Sequence, residues 1–389
     1  MLRNNLRTLS RAFSTSSMRL GAAMDASKLQ ITKTTAPKEK QAPKDLVFGH
    51  TFTDHMLTVE WTAKDGWAAP QITPYGPLEL DPSAVVLHYA FECFEGLKAY
   101  KDEAGNVRLF RVDKNMHRMN TSAERICLPE FDGAEAAKLI GQLAKLDSAW
   151  IPEGRGYSMY LRPSLIGTTA ALGVGTPDKA LFYVIASPVG PYYPTGFKAV
   201  KLEATDYAVR AWPGGVGNKK LGANYAPCIK PQQEAASRGY QQNLWLFGDE
   251  GNITEVGTMN AFFVFDRNGK KELVTAPLDG TILEGVTRDS ILELARERLP
   301  SADWTVSERY CTISEVAEAA EKGELVEAFG AGTAAVVSPI KEIGWGKKTI
   351  NIPLQPGKEA GKLTETVNEW IGDIQYGKDE YKGWSKVVA

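Results

Sequence analysis

Cysteine is scarce in this 389-residue chain. There are four, at Cys93, Cys127, Cys228 and Cys311, and no two form a CxxC pair. That spacing excludes a zinc ribbon and a disulfide framework, and fits a reducing compartment. Histidine is as scarce, also four. His50 and His55 stand five apart, off the i,i+4 spacing that puts two imidazoles on one helix face, so no metal centre is expected. Charge of one sign is not in excess either. Lys and Arg number 45 against 47 Asp and Glu, a net charge of −2, so there is no basic field for nucleic acid. No apolar run approaches the roughly 20 residues a membrane-spanning helix needs; ALFYVIA at 180–186 reads as a buried strand. No internal repeat is visible.

The N-terminal end differs from the rest. Residues 1–24 hold Arg3, Arg7, Arg11 and Arg19, six Ser or Thr, and no acid before Asp25. Leu2, Leu6, Leu9 and Phe13 recur at helical spacing, with Arg3, Arg7 and Arg11 tracking an adjacent face. Basic, Ser-rich, acid-free and amphipathic is the composition of a mitochondrial transit peptide, so the mature protein is expected in the mitochondrial matrix. The Arg11-Ala12-Phe13 / Ser14 step resembles a matrix-peptidase cleavage site. Residues 25–45 are punctuated by Lys and Pro without apolar period, and are expected to form a disordered leader.

The remainder is ordinary globular sequence, 43% hydrophobic and 24% charged, long enough for two domains. Strand-like alternation fills 46–110, with turns at Asp65-Gly66 and 102–106. A helix capped near Asp113 and an Ala-rich helix over 133–147 follow, then strands YSMYLRPSLIG and ALFYVIASPVG. Pro and Gly crowd 188–197, marking a linker at 190–199 between an N-terminal domain, 46–189, and a C-terminal domain, 200–389. The second half predicts a helix over 227–238, strands through 244–277, a helix over 287–298, apolar runs around a tight turn at 330–334, and a closing helix over 364–376. The fold class is mixed α/β in two domains, with the ligand cleft between them.

Two stretches carry chemistry. WPGGVGNKKLGANY, 212–225, places Lys219 and Lys220 in a glycine-rich turn, where an amine can be held against a ligand with little steric cover. TEVGTMN, 254–260, places Glu255 beside the apolar FFVF run, and a carboxylate there is costly unless paired. Pyridoxal phosphate needs a lysine that forms a Schiff base, a carboxylate at the ring nitrogen, and an arginine and backbone amides for phosphate. Chemistry alone leaves Lys219 and Lys220 equal, and an Arg or Lys would pair Glu255 as well as a pyridinium would.

Together, KLGANY, then EVGTMN with Glu255 35 positions beyond Lys220, then ILEGVTR and FGAGTA resemble the branched-chain amino acid aminotransferases, fold-type IV pyridoxal phosphate enzymes. FGHTFTDHML, LHYAFECFEGLKAY, VRLFR, NMHRM, YLRPSLIGT, LGVG and PVGPYY extend the resemblance over residues 46–376. It implies a smaller N-terminal domain and a larger cofactor-binding C-terminal one. It implies that Lys220 is the Schiff-base lysine, Glu255 the acid at the pyridine nitrogen, and Tyr225 the partner of the ring oxygen. Arg118, Val286, Thr287 and Thr333 are then the phosphate contacts. Tyr89, Thr258 and the backbone of Ala334 receive the substrate carboxylate. Phe48, Phe94, Tyr160, Tyr192 and Met259 form the apolar pocket, and Arg162 at its rim accommodates a glutamate side chain. Leu172 and Val174 match a loop donated by the other subunit, so a homodimer is implied.

The activity so implied is reversible transfer of the amino group between L-leucine, L-isoleucine or L-valine and 2-oxoglutarate. A D-amino acid aminotransferase or an aminodeoxychorismate-lyase-like enzyme shares the fold type, but the match through FEGLKAY and YLRPSLIGT argues against both. The intact lysine, acid and arginine argue against a scaffold without catalysis. One departure stands out. Ala335 and Ser338 occupy the positions where animal mitochondrial members carry a CxxC, so no dithiol switch is expected there.

Overall fold

Two long apolar-rich segments, 158–167 and 179–189, build the centre of the first sheet. In this computed structural model, which describes residues 21–190 and 197–388, strands Ser158–Gly167 and Lys179–Val189 pair antiparallel along their whole length. Outward from Lys179–Val189 lie His55–Thr62, Gln71–Pro74 and Gln30–Ile31; outward from Ser158–Gly167 lie Leu97–Lys101, Val107–Phe110 and Ser385–Val387. Because side chains alternate across a strand, Leu97, Ala99, Met159, Leu161, Leu165, Phe182 and Val184 fall on one face. They are buried with Met116, Met119, Leu139, Ile140 and Leu143 of the helices Val112–Arg125 and Gly133–Leu146. The opposite face carries Lys98, Tyr160, Arg162, Ser164, Tyr183 and Ile185, far more polar for a core and turned toward the second sheet.

The second sheet runs Asn252–Val256, Gln242–Phe247, Val200–Thr205, Val336–Trp345, Leu325–Gly332, Met259–Arg267, Lys270–Thr275, Trp304–Glu308. Its central run FFVF is buried on both faces. Phe263 and Phe265 join Leu244, Val274 and Ile340 on one side. Phe262 and Val264 join Phe329 and the helices Val286–Arg298 and Lys362–Gln375 on the other. Each such side chain contributes about 1.5–3 kcal/mol over leaving it exposed.

Three expectations are corrected. The leader 25–45 is not structureless: Gln30–Ile31 pairs parallel with Gln71–Pro74, Ala26 and Leu29 pack against the first core, and the Thr34 N–H donates to His55 Nε2 at 2.9 Å. Single anchors and backbone bonds hold it, and these leave no hydrophobic period to read. The chain beyond the closing helix does not stay with the second sheet, because Ser385–Val387 pairs antiparallel with Val107–Phe110. The helix expected to be capped near Asp113 is capped two residues earlier, with Arg111 at the N-cap in a left-handed conformation, φ 48°, and Asp113 in its first turn. His55 is paired with Asp147, Nδ1 to Oδ1 at 2.6 Å, and among the described residues no group of His, Cys, Asp and Glu is placed to hold a metal ion. The transit-peptide expectation up to residue 20, most of the linker and Tyr192 lie outside the described residues. No helix among the described residues is long and apolar enough to cross a membrane.

Candidate active site

Between the two sheets lies a cavity of about 610 Å3, walled by residues of both. The lysine turn reaches it because it is stitched to the first sheet. Leu221 bridges Cys93, the Phe94 N–H donates to the Lys220 carbonyl at 3.1 Å, and the Lys220 N–H donates to Ser122 Oγ at 2.9 Å. This register sets Lys220 opposite Phe94, with Nζ 4.9 Å from that ring's centroid and 3.1 Å from the Tyr225 hydroxyl. Lys220 lines the cavity and Lys219 does not; Lys219 spends its backbone on the turn itself, with Val216 and Asn224. Opposite Glu92 the same pairing puts Gly222. A Cβ there would fall 1.7 Å from Glu92 Oε1, so the glycine makes room for a carboxylate on the cavity wall.

Glu255 is buried at the base of the cavity. Its Oε2 pairs with Arg210 Nη2 at 2.9 Å, and its Oε1 accepts from the Leu283 N–H at 2.8 Å and Asn260 Nδ2 at 3.3 Å. Burial pushes its carboxyl up; Arg210 and the Leu283 N–H oppose that. Arg210 was not singled out from the sequence, although a buried carboxylate announces the need for such a cation.

Arg118, from the buried side of its helix, donates Nε and Nη2 to the two oxygens of Glu95 and Nη1 to the Glu284 carbonyl at 2.8 Å. That uses three of its five donors. Glu95, in FEGLK, is the second residue that sequence reasoning missed. Nearby, the helix Val286–Arg298 starts on the cavity wall, with Val286 and Thr287 in its first turn and no side chain capping it. Uncapped N–H groups at a helix start favour an anion. Thr333 and Ala334 enter from the turn between Leu325–Gly332 and Val336–Trp345.

The far wall is aromatic. Phe48 meets Tyr160 edge to face at 5.0 Å, and Phe94 meets Tyr225 at 5.0 Å. Gly96 is required here: its Cβ would fall 1.9 Å from the Tyr160 hydroxyl. Arg162 lies 4.7 Å over Phe94 and donates Nη2 to the Tyr160 hydroxyl at 3.2 Å, while its Nε is buried without a partner. Ser164, Tyr183 and Ile185 also line this wall and were not foreseen.

Thr258 lines the cavity too. Four implied residues do not. Met259 packs behind the Thr333–Ala334 turn, against Gly330 and Gly332, beside a smaller void. Tyr89, Leu172 and Val174 sit on the surface, 40%, 71% and 75% exposed, with the Tyr89 hydroxyl donating to the Leu172 carbonyl.

An amine, a buried carboxylate, an arginine with donors to spare and an uncapped helix start on one cavity form a donor set that fits pyridoxal phosphate.

The family model for amino-transferase class IV matches residues 92–343. The mitochondrial branched-chain-amino-acid aminotransferase of Saccharomyces cerevisiae is 65% identical to this chain over 379 residues, covering 97% of it and 96% of the yeast protein. The cytosolic enzyme of the same yeast is 66% identical over 370 residues, 95% of this chain and 98% of that one. Among solved structures, the branched-chain aminotransferase of the thermophilic archaeon Thermoproteus uzoniensis with norvaline is 25% identical with a TM-score of 0.68, over 85% of this chain and 99% of that one.

Proposed function

Because this chain belongs to the class IV aminotransferases, and within them to the branched-chain-amino-acid aminotransferases, we propose that it reversibly transfers the amino group between L-leucine, L-isoleucine or L-valine and 2-oxoglutarate. One observation carries the assignment of roles: the Lys220 amine and the Glu255 carboxylate share a cavity with the start of the helix Val286–Arg298.

Pyridoxal phosphate, held there, supplies a conjugated ring able to accept the electron pair left when the substrate's alpha proton is removed. Lys220 is the residue that carries it and, once free, takes and returns that proton through Nζ. Tyr225, 3.1 Å from Nζ, orients the amine. Glu255, backed by Arg210, sits where it can hold a ring nitrogen protonated. Arg118, Val286, Thr287 and Thr333 hold the phosphate. The carboxylate of the substrate meets Thr258 and the backbone of Ala334. Its side chain meets Phe48, Phe94 and Tyr160, where each buried methylene contributes about 0.8 kcal/mol, and a dicarboxylate reaches Arg162.

The site is completed by a second copy of the chain. Tyr89 is joined to Leu172 by its hydrogen bond, and both, with Val174, are too exposed for a loop with only its own chain to pack on. We read them as donated to the partner's cavity in a homodimer. The Arg-rich, acid-free residues 1–24 support import into the mitochondrial matrix, and relatives bear both mitochondrial and cytosolic names.

The test is the visible spectrum of the purified protein, titrated with L-leucine and then 2-oxoglutarate. A band that leucine bleaches and 2-oxoglutarate restores is expected, and its loss in a folded Lys220→Ala variant. A band bleached only by a D-amino acid would move the assignment to a D-specific relative.

A further inference from the structure

Lys98 stands outside the set described so far. It lies on Leu97–Lys101 directly opposite Tyr160, so its side chain leaves the sheet on the cavity face. It is only 7% exposed, and its hydrogen bond crosses from the first sheet to the second, Nζ donating to the Ala334 carbonyl at 2.7 Å. No carboxylate accompanies it among the described residues. The titratable side chains around it, in a space of about 200 Å3, are Tyr100, Arg155, Lys198 and Tyr376, with Tyr160 across the strand. Arg155 is already paired with Asp373 at 2.6 Å, and Lys198 is exposed. Burial pushes both Tyr100 and Tyr376 up, so neither offers an anion at neutral pH. An ammonium withdrawn from water without a counter-ion is expensive, and burial brings Lys98 down to about 8. The cost goes into one contact, with the turn that walls the active cavity.

We propose that Lys98 is a positioning residue for the substrate carboxylate. Its ammonium fixes the Ala334 carbonyl, holds the Thr333–Ala334 turn against the cavity, and sets an unneutralised positive charge behind the backbone that meets the anion. This rests on the transaminase reading above, in which that turn receives the carboxylate. Every substrate carries that group, whether amino acid or oxo acid. The effect of Lys98 is therefore common to all of them, unlike that of Arg162, which concerns dicarboxylates.

The experiment measures KM and kcat of the holoenzyme for two oxo acids, 2-oxoglutarate and the 2-oxo acid of leucine, which have no amine to titrate. Wild type, Lys98→Met and Lys98→Arg are compared across a range bracketing pH 8. Wild-type KM should be flat below about 8 and climb above it as the ammonium is lost. Lys98→Met should raise KM roughly tenfold for both oxo acids with kcat nearly unchanged, the loss of one charged hydrogen bond, and should abolish the break near 8. Lys98→Arg, charged throughout, should keep a low KM with no break. A break near 8 that survives in Lys98→Arg overturns the proposal, even if the Met variant fails to fold. So does a KM indifferent to Lys98→Met in an enzyme that converts both oxo acids. A wild type that converts neither overturns the transaminase reading, and the proposal with it.

Discussion

Arg118 lies against Glu95 in two parallel hydrogen bonds, Nε to Oε1 at 2.7 Å and Nη2 to Oε2 at 2.8 Å, with Asn115 adding a third to Oε2 at 2.8 Å. Both charges are buried. Burial pushes the Glu95 carboxyl up, but Arg118 outweighs it and holds the group below the usual carboxylate range. Glu95→Gln keeps the shape and strands the guanidinium. We expect a loss of about 3 kcal/mol in urea unfolding, the scale for breaking a buried pair, and weaker cofactor retention on dialysis. An unchanged urea midpoint would show that the pair is not coupled to the fold.

Arg210, which also donates Nη1 to the Thr281 carbonyl at 3.3 Å, should matter to the cofactor through Glu255. With Arg210→Met the carboxyl loses the cation that opposes its burial, and its pKa moves further up. The carboxylate form of Glu255 is then less favoured, and its hold on a charged ring nitrogen weakens. Cofactor affinity should drop roughly tenfold or more, read by absorbance after dialysis. Full retention of the band would place the function of Arg210 elsewhere.

Arg162→Ala should separate the two substrate classes. Its Nε is buried without a partner, and the guanidinium stacks on Phe94. KM for glutamate and 2-oxoglutarate should rise roughly tenfold, the value of one charged hydrogen bond, with leucine changed far less. Equal losses for both classes would sink the idea.

Acid stability gives a further check away from the site. Glu315 accepts from Arg309 at 2.8 and 2.9 Å and from Arg267 at 2.9 Å. Burial raises its carboxyl, but the two arginines more than compensate and bring it to about 2, below the ordinary 4.5. A depressed folded-state value means the contribution is complete above about 4.5 and is lost as pH falls through about 2. Glu315→Gln should therefore lower the unfolding midpoint at neutral pH, and the gap to wild type should close as pH approaches 2. A gap independent of pH would show that charge is not its source.

The sequence by itself determined the chemistry of this protein. Local patterns carry it: a lysine in a glycine-rich turn, Glu255 before an apolar strand, EGVTR at a helix start and GTA at a turn. Each is a short segment whose backbone conformation its own residues dictate, so each could be placed without the rest of the fold. Pairing partners were not legible in this way. Arg210 for Glu255, Glu95 for Arg118 and Ala334 for Lys98 come from positions 45, 23 and 236 residues distant, and burial selects them only once the sheets have formed. Tertiary structure also separated Lys220 from Lys219, because the Cys93–Leu221 bridge fixes which of two adjacent side chains faces the cavity. It gave residues 25–45 a place that their composition did not suggest, and returned Ser385–Val387 to the first sheet. In both cases the decisive interactions are backbone hydrogen bonds, which every residue but proline can offer and no composition reveals.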